Sequence, residues 1–149
     1  MAHLELTRGA YAISTDPKRL DIDAIHGYLS RSFWAEGIPK DIVARSVASS
    51  LCFGLYHERS QIGLARVITD RATFAYLCDV YVLEEHRAHG LGKWLIAGVM
   101  AHPDLQGLRR FHLVTRDAYG LYSRFGFRTV TSPDHHMEIF RPGMYKEPG

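Results

Sequence analysis

The sequence has few cysteines, no long apolar run and no marked excess of charge of one sign. Its two cysteines, Cys52 and Cys78, stand in apolar stretches without the spacing of a zinc or redox motif. We therefore expect two buried, reduced thiols and a reducing cytoplasm, not a disulfide framework. No stretch approaches bilayer-spanning length, and residues 1–15 lack the pattern of a signal peptide. These absences predict a soluble protein with no membrane association.

Clustered basic residues and metal-ligand motifs are also missing. The net charge is only +2 and the basic residues are scattered, so we expect no nucleic-acid partner. Nine histidines are present, but the nearest sets, His86 with His89 and His135 with His136, have no HExxH or Cys/His framework around them. We therefore predict no metal site.

What is present fits one folded unit. The chain has 149 residues, of which 46% are hydrophobic and 23% are charged, as in ordinary globular domains. This length is enough to bury a single core without disulfides or metal. Repeats, low-complexity tracts and linkers are absent, so we predict one domain over residues 1–149.

The hydrophobic pattern predicts two helices near the start and mostly strands afterwards. The predicted elements are a strand at 11–14, helices at 21–30 and from Pro39, strands at 51–56, 61–69 and 74–83, a helix from 91 that ends before Pro103, a strand at 110–115, a helix at 118–124, and strands at 127–130 and 137–140. Short turns between the middle strands predict an antiparallel meander. The strand–helix–strand order that follows predicts a parallel crossover, so the expected fold is mixed α+β.

The clearest chemical signal is a glycine-bearing segment between a central strand and an amphipathic helix. It reads Arg87-Ala88-His89-Gly90-Leu91-Gly92-Lys93. A helix start offers unpaired N–H groups and the positive end of the helix dipole, which suits a phosphate. Gly90 and Gly92 would let phosphate oxygens approach the backbone closely. The side chains of Arg87, His89 and Lys93 would add positive charge.

Other glycine-rich motifs fit this segment poorly. A P-loop needs glycine at position 87 and serine or threonine at position 94, where this chain has Arg87 and Trp94. A dinucleotide fingerprint needs a third glycine at position 95, which is Leu95. A plain tight turn before a helix remains the structural alternative.

Two motifs in order resemble those of the GNAT family of N-acetyltransferases. Arg87-x-x-Gly90-x-Gly92 follows a strand ending Val80-Tyr81-Val82 and looks like the family's coenzyme A signature. Downstream, Ala118-x-x-Leu121-Tyr122-x-x-x-Gly126-Phe127 looks like its tyrosine motif. With the element order from residue 51 onward, the resemblance covers roughly two thirds of the chain. It implies a GNAT-type mixed sheet with helices on both faces, and acetyl-CoA as the acyl donor.

The resemblance also implies which residues hold the donor. The implied contacts are Val80, Tyr81, Val82, Arg87, Ala88, His89, Gly90, Leu91, Gly92, Lys93 and Asp117. Main-chain groups of residues 80–82 would pair with the pantetheine arm and polarise the thioester carbonyl. Many relatives have an asparagine where this chain has Asp117, so that contact stays open.

For the chemistry, the resemblance implies direct attack of an amine on the thioester in a ternary complex. No serine or cysteine stands in a nucleophile elbow. Tyr122 matches the family's general acid; a core tyrosine is the alternative, and Tyr119, one turn earlier, could substitute. Asp79 is a carboxylate in an apolar strand, either a general base or the partner of Arg66 on the neighbouring strand.

The acceptor is the least determined part. Phe33, Trp34 and Tyr56 either line the acceptor side, which relatives build from the first helices and early strands, or pack within the helical layer. The expected acceptor is a small-molecule amine or a protein amino group. An acyl-CoA-binding sensor or assembly module without catalysis is the main alternative, and transfer to a hydroxyl is another. The family often forms homodimers, although no segment here predicts an interface.

Overall fold

The structure is a computed structural model that describes residues 2–146, so residues 1 and 147–149 of the predicted domain lie outside it. The described chain forms a six-stranded sheet and four α-helices. The strands are β1 Glu5–Arg8, β2 Tyr11–Ser14, β3 Leu51–His57, β4 Ser60–Thr69, β5 Phe74–Val82 and β6 Arg110–Leu113. The helices are α1 Ile22–Leu29, α2 Lys40–Ala48, α3 Leu91–Ala101 and α4 Tyr119–Ser123. None of these helices is long and apolar enough to cross a bilayer.

The sheet follows the order of the chain from β1 to β6. All neighbouring strands are antiparallel except β5 and β6, which are parallel and joined through α3. This confirms the predicted mixed α+β fold. Sequence reasoning missed β1, because three of its four residues are exposed and carry no apolar alternation.

Helices cover both faces of the sheet, as the resemblance implied. On one face, α1 and α2 bury Ile25, Leu29 and Val43 against β3 and β4. The side chain of Asp21 starts α1 by accepting the N–H of Ala24 at 3.0 Å. On the other face, α3 buries residues such as Leu95 against the sheet. Removal of one such fully buried leucine side chain costs about 2–5 kcal/mol, so each layer is fixed firmly to the sheet.

Strands β5 and β6 separate halfway along β5. They pair only from Phe74 with Arg110 to Leu77 with Leu113, whereas β5 continues to Val82. On its other side β5 has a register shift against β4, and Asp79 adopts a left-handed backbone with φ of 50°. Past Leu77, the β6-facing side of β5 is therefore free of strand partners within the described chain.

Two predicted strands, at 127–130 and 137–140, were wrong. The Phe127 ring packs against Phe111 at a centroid distance of 5.4 Å, but no ladder joins its main chain to β6. Met137 and Ile139 are 97% and 85% exposed. The alternating apolar side chains that predicted the second strand are therefore exposed and are not buried against the sheet.

The two cysteines lie one on each side of Arg66 in the sheet register. Both are free thiols; Cys52 is buried and Cys78 is half-buried. Burial raises the pKa of each thiol to about 12, so both are protonated at neutral pH. This environment makes neither of them a ready nucleophile.

Candidate functional site

A cleft of about 760 Å³ opens where β5 and β6 part. Its walls come from the end of β5, the start of α3, the start of α4, and α1 with the loop that follows it. The predicted site residues that line it are Phe33, Trp34, Val80, Tyr81, Val82, Arg87, Ala88, Gly90, Leu91, Gly92, Asp117 and Tyr122. The fold thus gathers residues that are up to 89 positions apart in the chain, from position 33 to position 122.

Four predicted residues do not line this cleft. His89 and Lys93 are exposed on the turn, and the His89 ring lies 6.4 Å from that of Tyr11, toward β2. Asp79 accepts a hydrogen bond from the indole N–H of Trp34, and it is Trp34 that lines the cleft. Tyr56 is 3% exposed and lies beneath the guanidinium of Arg19, so the structure does not bring it to the acceptor side.

The turn before α3 presents a row of unpaired amides. Ala88 and Gly90 adopt left-handed backbones, with φ of 71° and 70°. The first main-chain bond of α3 runs from the N–H of Trp94 to the carbonyl of Gly90. Within residues 2–146, no N–H from position 88 to position 93 donates to a main-chain or side-chain acceptor. Such a concave row of amides at a helix start is an anion-binding arrangement.

The space in front of these amides is open. A Cβ built on Gly90 or Gly92 would have no other heavy atom within 4 Å. Gly92 has an ordinary helical backbone that any residue could adopt. Glycine at this position therefore provides space and is not required by the backbone conformation. Ala88, in contrast, holds a left-handed conformation that costs about 1 kcal/mol. The turn therefore leaves its backbone N–H groups open to close approach by a ligand.

Arg87 ties the turn to the neighbouring elements. Its Nε donates to the carbonyl of Val82 at 2.9 Å, and its Nη2 contacts the hydroxyl of Tyr28 at 3.2 Å. Tyr28 in turn stacks on Tyr81 with ring centroids 3.9 Å apart. The guanidinium thus keeps its positive charge at the mouth of the cleft while fixing the end of β5 against α1.

The lining residues that sequence reasoning missed include Tyr28, Arg31 and Glu84. Arg31 lies over the Tyr28 ring at 4.6 Å and pairs with Glu84 at 3.0 Å. Tyr28 and Arg31 lie beside the apolar stripe of α1, and their spacing carries no motif. Only the packing of α1 against the end of β5 brings them into the cleft, so no sequence signal could have identified them.

Tyr122 faces the cleft from α4. It is 9% exposed, and its ring packs edge-on against Phe127. Burial raises the pKa of Tyr122 above its ordinary range, so the hydroxyl stays protonated at neutral pH and can donate a proton. Tyr119, the alternative considered above, is 60% exposed and does not line the cleft.

Asp79 is held on both carboxylate oxygens. Oδ2 accepts from Nε of Arg66 and Oδ1 accepts from the indole N–H of Trp34, each at 2.8 Å. The Asp79 and Arg66 side chains are 10% and 15% exposed. The ion pair considered from the sequence is therefore present, and the same carboxylate attaches the loop after α1 to the left-handed position in β5.

Beyond Trp34, the outer rim of the cleft is aromatic and cationic. Phe33 is 62% exposed and Trp34 is 41% exposed. The guanidinium of Arg116, which follows β6, lies 3.8 Å above the Phe33 ring. Among residues 2–146, no three His, Cys, Asp or Glu side chains are grouped so that they could hold a metal ion.

Known proteins resemble this chain at several levels. A family model described as an acetyltransferase (GNAT) domain matches residues 48–129. A candidate acetyltransferase from Gibberella zeae is 40% identical over 141 residues, covering 79% of this chain and 78% of that protein. The crystal structure of a candidate GNAT-family acetyltransferase from Xanthomonas campestris pv. campestris matches with a TM-score of 0.90 at 52% identity, covering 92% of this chain and 97% of the other. A Clostridium acetobutylicum structure described as an acetyltransferase with acetyl-CoA has a TM-score of 0.62 at 16% identity, covering 87% and 94%, which is a likeness of fold alone.

Proposed function

This chain belongs to the GNAT acetyltransferase family, and from that premise we propose that it moves an acetyl group from acetyl-CoA to a primary amine. One observation carries the proposal more than any other. The residues Ala88, Gly90, Leu91 and Gly92, whose amides are unpaired, line the same cleft as Tyr122, whose hydroxyl is protonated. That combination provides an anion-binding end and a proton donor for one elongated thioester substrate.

In this proposal the amides of residues 88–93 hold the diphosphate of the donor, and Arg87 adds positive charge. The free side of β5, from residue 80 to residue 82, holds the pantetheine arm through main-chain hydrogen bonds. Acetyl-CoA supplies an acyl group already activated as a thioester. The protein's contribution is then mainly to position the donor and to direct hydrogen-bond donors at the reacting end.

Proton transfer sets the main demand on the side chains. An alkylammonium with a pKa near ~10.4 is about one part in 10³ neutral at pH 7, and its deprotonation costs roughly 4–5 kcal/mol. The neutral amine nitrogen bonds to the acetyl carbon, the carbon–sulfur bond breaks, and the nitrogen releases one proton to solvent as the amide forms. Tyr122 gives its proton to the departing sulfur, which makes it the general acid, and takes a proton back from solvent before the next turnover.

We propose that Asp79 positions the loop that carries Trp34, and does not accept the acceptor's proton. Both of its oxygens already accept hydrogen bonds, one of them from a guanidinium. Phe33 and Trp34, on the loop that this contact fixes, would form the wall against which the acceptor packs.

Asp79→Asn should therefore leave the pH dependence of kcat/KM unchanged while it lowers the free energy of unfolding by about 3 kcal/mol, because Arg66 loses its buried partner. Arg66→Met, which breaks the same pair from the other side, is the matched control and should show the same two results. Chemical denaturation and pH–rate profiles measure both quantities. If an ionisation step in the pH profile of kcat/KM is lost in Asp79→Asn but kept in Arg66→Met, Asp79 is the general base.

The proposed activity itself is tested by following thiol release from acetyl-CoA in the presence of a panel of amines and protein N-termini. We expect amine-dependent release of coenzyme A and an acetylated amine that mass spectrometry detects. Binding of coenzyme A without release for any amine would support the alternative of a sensor or assembly module. Release that depends on an alcohol and yields an ester would point to hydroxyl transfer.

A further inference from the structure

The aromatic rim of the cleft and the turn of residues 88–93 lie on opposite sides of residues 80–82. The turn follows Val82, whose carbonyl accepts a hydrogen bond from Nε of Arg87. The rim lies at Asp79, because that carboxylate accepts the indole N–H of Trp34. Three residues of a strand span ~10 Å. In the proposed function the diphosphate therefore lies beyond one end of this stretch, and the acceptor approaches at the other.

At this rim the side chain of Arg116 bridges two walls of the cleft. Phe33 belongs to the loop after α1, and Arg116 belongs to the segment after β6. The guanidinium carbon of Arg116 lies 3.8 Å from the centroid of the Phe33 ring. A guanidinium that lies over a ring uses mainly its face, so the N–H groups along its edge stay available for hydrogen bonds.

Arg116 differs from the two other arginines at the mouth of the cleft. Arg31 pairs with Glu84 at 3.0 Å, and Arg87 donates to the carbonyl of Val82. Within residues 2–146, Arg116 takes part in no ion pair. Its N–H groups also donate no hydrogen bond inside that part of the chain. The positive charge of Arg116 is therefore available to a ligand.

The ring under this guanidinium is itself fixed. Phe33 packs edge-on against Trp34, with ring centroids 5.1 Å apart. Trp34 is held by the carboxylate of Asp79, which the buried contact with Arg66 keeps in place. The platform under Arg116 is therefore in position before any ligand arrives, which reduces the conformational entropy that binding must remove.

We propose that Arg116, held over Phe33, binds an anionic group of the acceptor, so that the acceptor is an amine that also carries a carboxylate or a phosphate. This inference rests on the proposed function and specifies its acceptor. Both anions match the fork of N–H groups that a guanidinium presents along its edge. The neighbouring Asp117 lines the cleft and forms no ion pair with Arg116. Its negative charge on the same wall suits the ammonium form in which the amine arrives.

Pairs of amines that differ by one anionic group test the proposal. Suitable pairs are β-alanine with ethylamine, L-leucine with 3-methylbutylamine, and O-phosphoethanolamine with ethanolamine. The measured quantity is the ratio of kcat/KM for the anionic amine to kcat/KM for its neutral counterpart. Arg116→Gln should lower this ratio by about 10–100-fold, because hydrogen bonds between charged groups are lost. Differences in amine basicity cancel, because both proteins receive the same compounds, and the pair with the larger loss identifies the anion.

Three further variants separate charge, shape and position. Arg116→Lys keeps the charge but loses the flat fork, so it should recover only part of the ratio. Phe33→Leu removes the π face under the guanidinium and should lower the ratio by about 2–5-fold. The matched control is Arg45→Gln, which removes the same charge from an exposed position of α2 and should leave the ratio unchanged. Arg116 is exposed, so its variants should fold, which thermal unfolding checks.

Three kinetic or binding results would overturn the proposal. The first is a ratio that Arg116→Gln leaves unchanged, and the second is a wild-type protein that acetylates only the neutral amines. The third is an Arg116→Gln variant that binds coenzyme A more weakly and keeps its ratio, which would assign the guanidinium to the donor.

A binding measurement keeps this inference separate from the proposed function. Calorimetric titration of the anionic amines into protein saturated with coenzyme A requires no turnover. If no amine is acetylated, the proposed function fails, and the titration still decides about Arg116. Binding that is about 10–100-fold weaker in Arg116→Gln than in the wild type supports the anion site. Equal binding by the two proteins, or no binding of any anionic amine, overturns it.

Discussion

Gly92→Asp is expected to lower the affinity for coenzyme A at least ~100-fold without weakening the fold. Outside its chain neighbours and its own helix backbone, a Cβ at position 92 has no heavy atom within 4 Å, and Gly92 lines the cleft, so the new carboxylate would lie near the proposed position of the diphosphate. In the free protein the same charge sits in the first turn of α3, where the helix dipole favours it by about 0.3–1 kcal/mol. Calorimetric titration should therefore show a lower affinity for coenzyme A, while thermal unfolding should show a melting temperature equal to or above that of the wild type.

Two control variants separate the effects of charge and position. Gly92→Ala adds bulk without charge and should cost no more than about tenfold in affinity, while it stabilises the helix by about 0.5–1 kcal/mol. Ala97→Asp adds the same charge on an exposed position of α3, away from the turn, and should change affinity by less than about threefold. Wild-type affinity in Gly92→Asp would show that the turn does not hold the donor.

Tyr122→Phe is expected to lower kcat by about 100-fold while coenzyme A binding survives, because only the proton donor is lost. The ring packing on Phe127 is kept, so the melting temperature should stay close to that of the wild type. The pH dependence gives a second signature. A general acid must be protonated, and burial holds the pKa of Tyr122 above its ordinary ~10, so a fall of kcat due to this group should begin only above about pH 10.

The matched control for this variant is Tyr119→Phe, which removes a hydroxyl from the exposed tyrosine one turn away. It should turn over at the wild-type rate. Single-turnover measurements that isolate the chemical step are preferable, because slow product release could hide the loss in steady state. Near-normal chemistry in Tyr122→Phe would remove Tyr122 from the proposed role, and a large loss in Tyr119→Phe would assign it to Tyr119.

The parts of the fold that the sequence predicted are those with strong local signals. Strands β3 to β5 and helix α3 have continuous apolar periodicity and clear turns between them. The glycine spacing from Arg87 to Gly92 predicts the turn before α3 without any tertiary information. Short elements such as β1 lack such a signal, because most of its side chains face water. The segment at 137–140 has the alternation of a strand but no strand partner within its own described chain.

The candidate site likewise contains residues that the sequence predicted and residues that it did not. Residues of the turn and Tyr122 are marked by motif, whereas Tyr28, Arg31 and Glu84 enter the cleft only through the packing of α1 on β5. The contact of Asp79 with Arg66 was one of two alternatives that the sequence offered, because an unpaired buried charge is costly. Its second contact, with Trp34, depends on the position of the loop after α1. Periodicity and spacing carry no information about such contacts between distant segments.

The central claim is that the amides of residues 88–93 grip a diphosphate. Parallel calorimetric titrations of the wild-type protein with coenzyme A and with pantetheine, which shares the arm but has no phosphate, test it most directly. We expect coenzyme A to bind at least ~100-fold more tightly than pantetheine. Equal affinity for the two compounds, or no affinity for coenzyme A, would contradict the account.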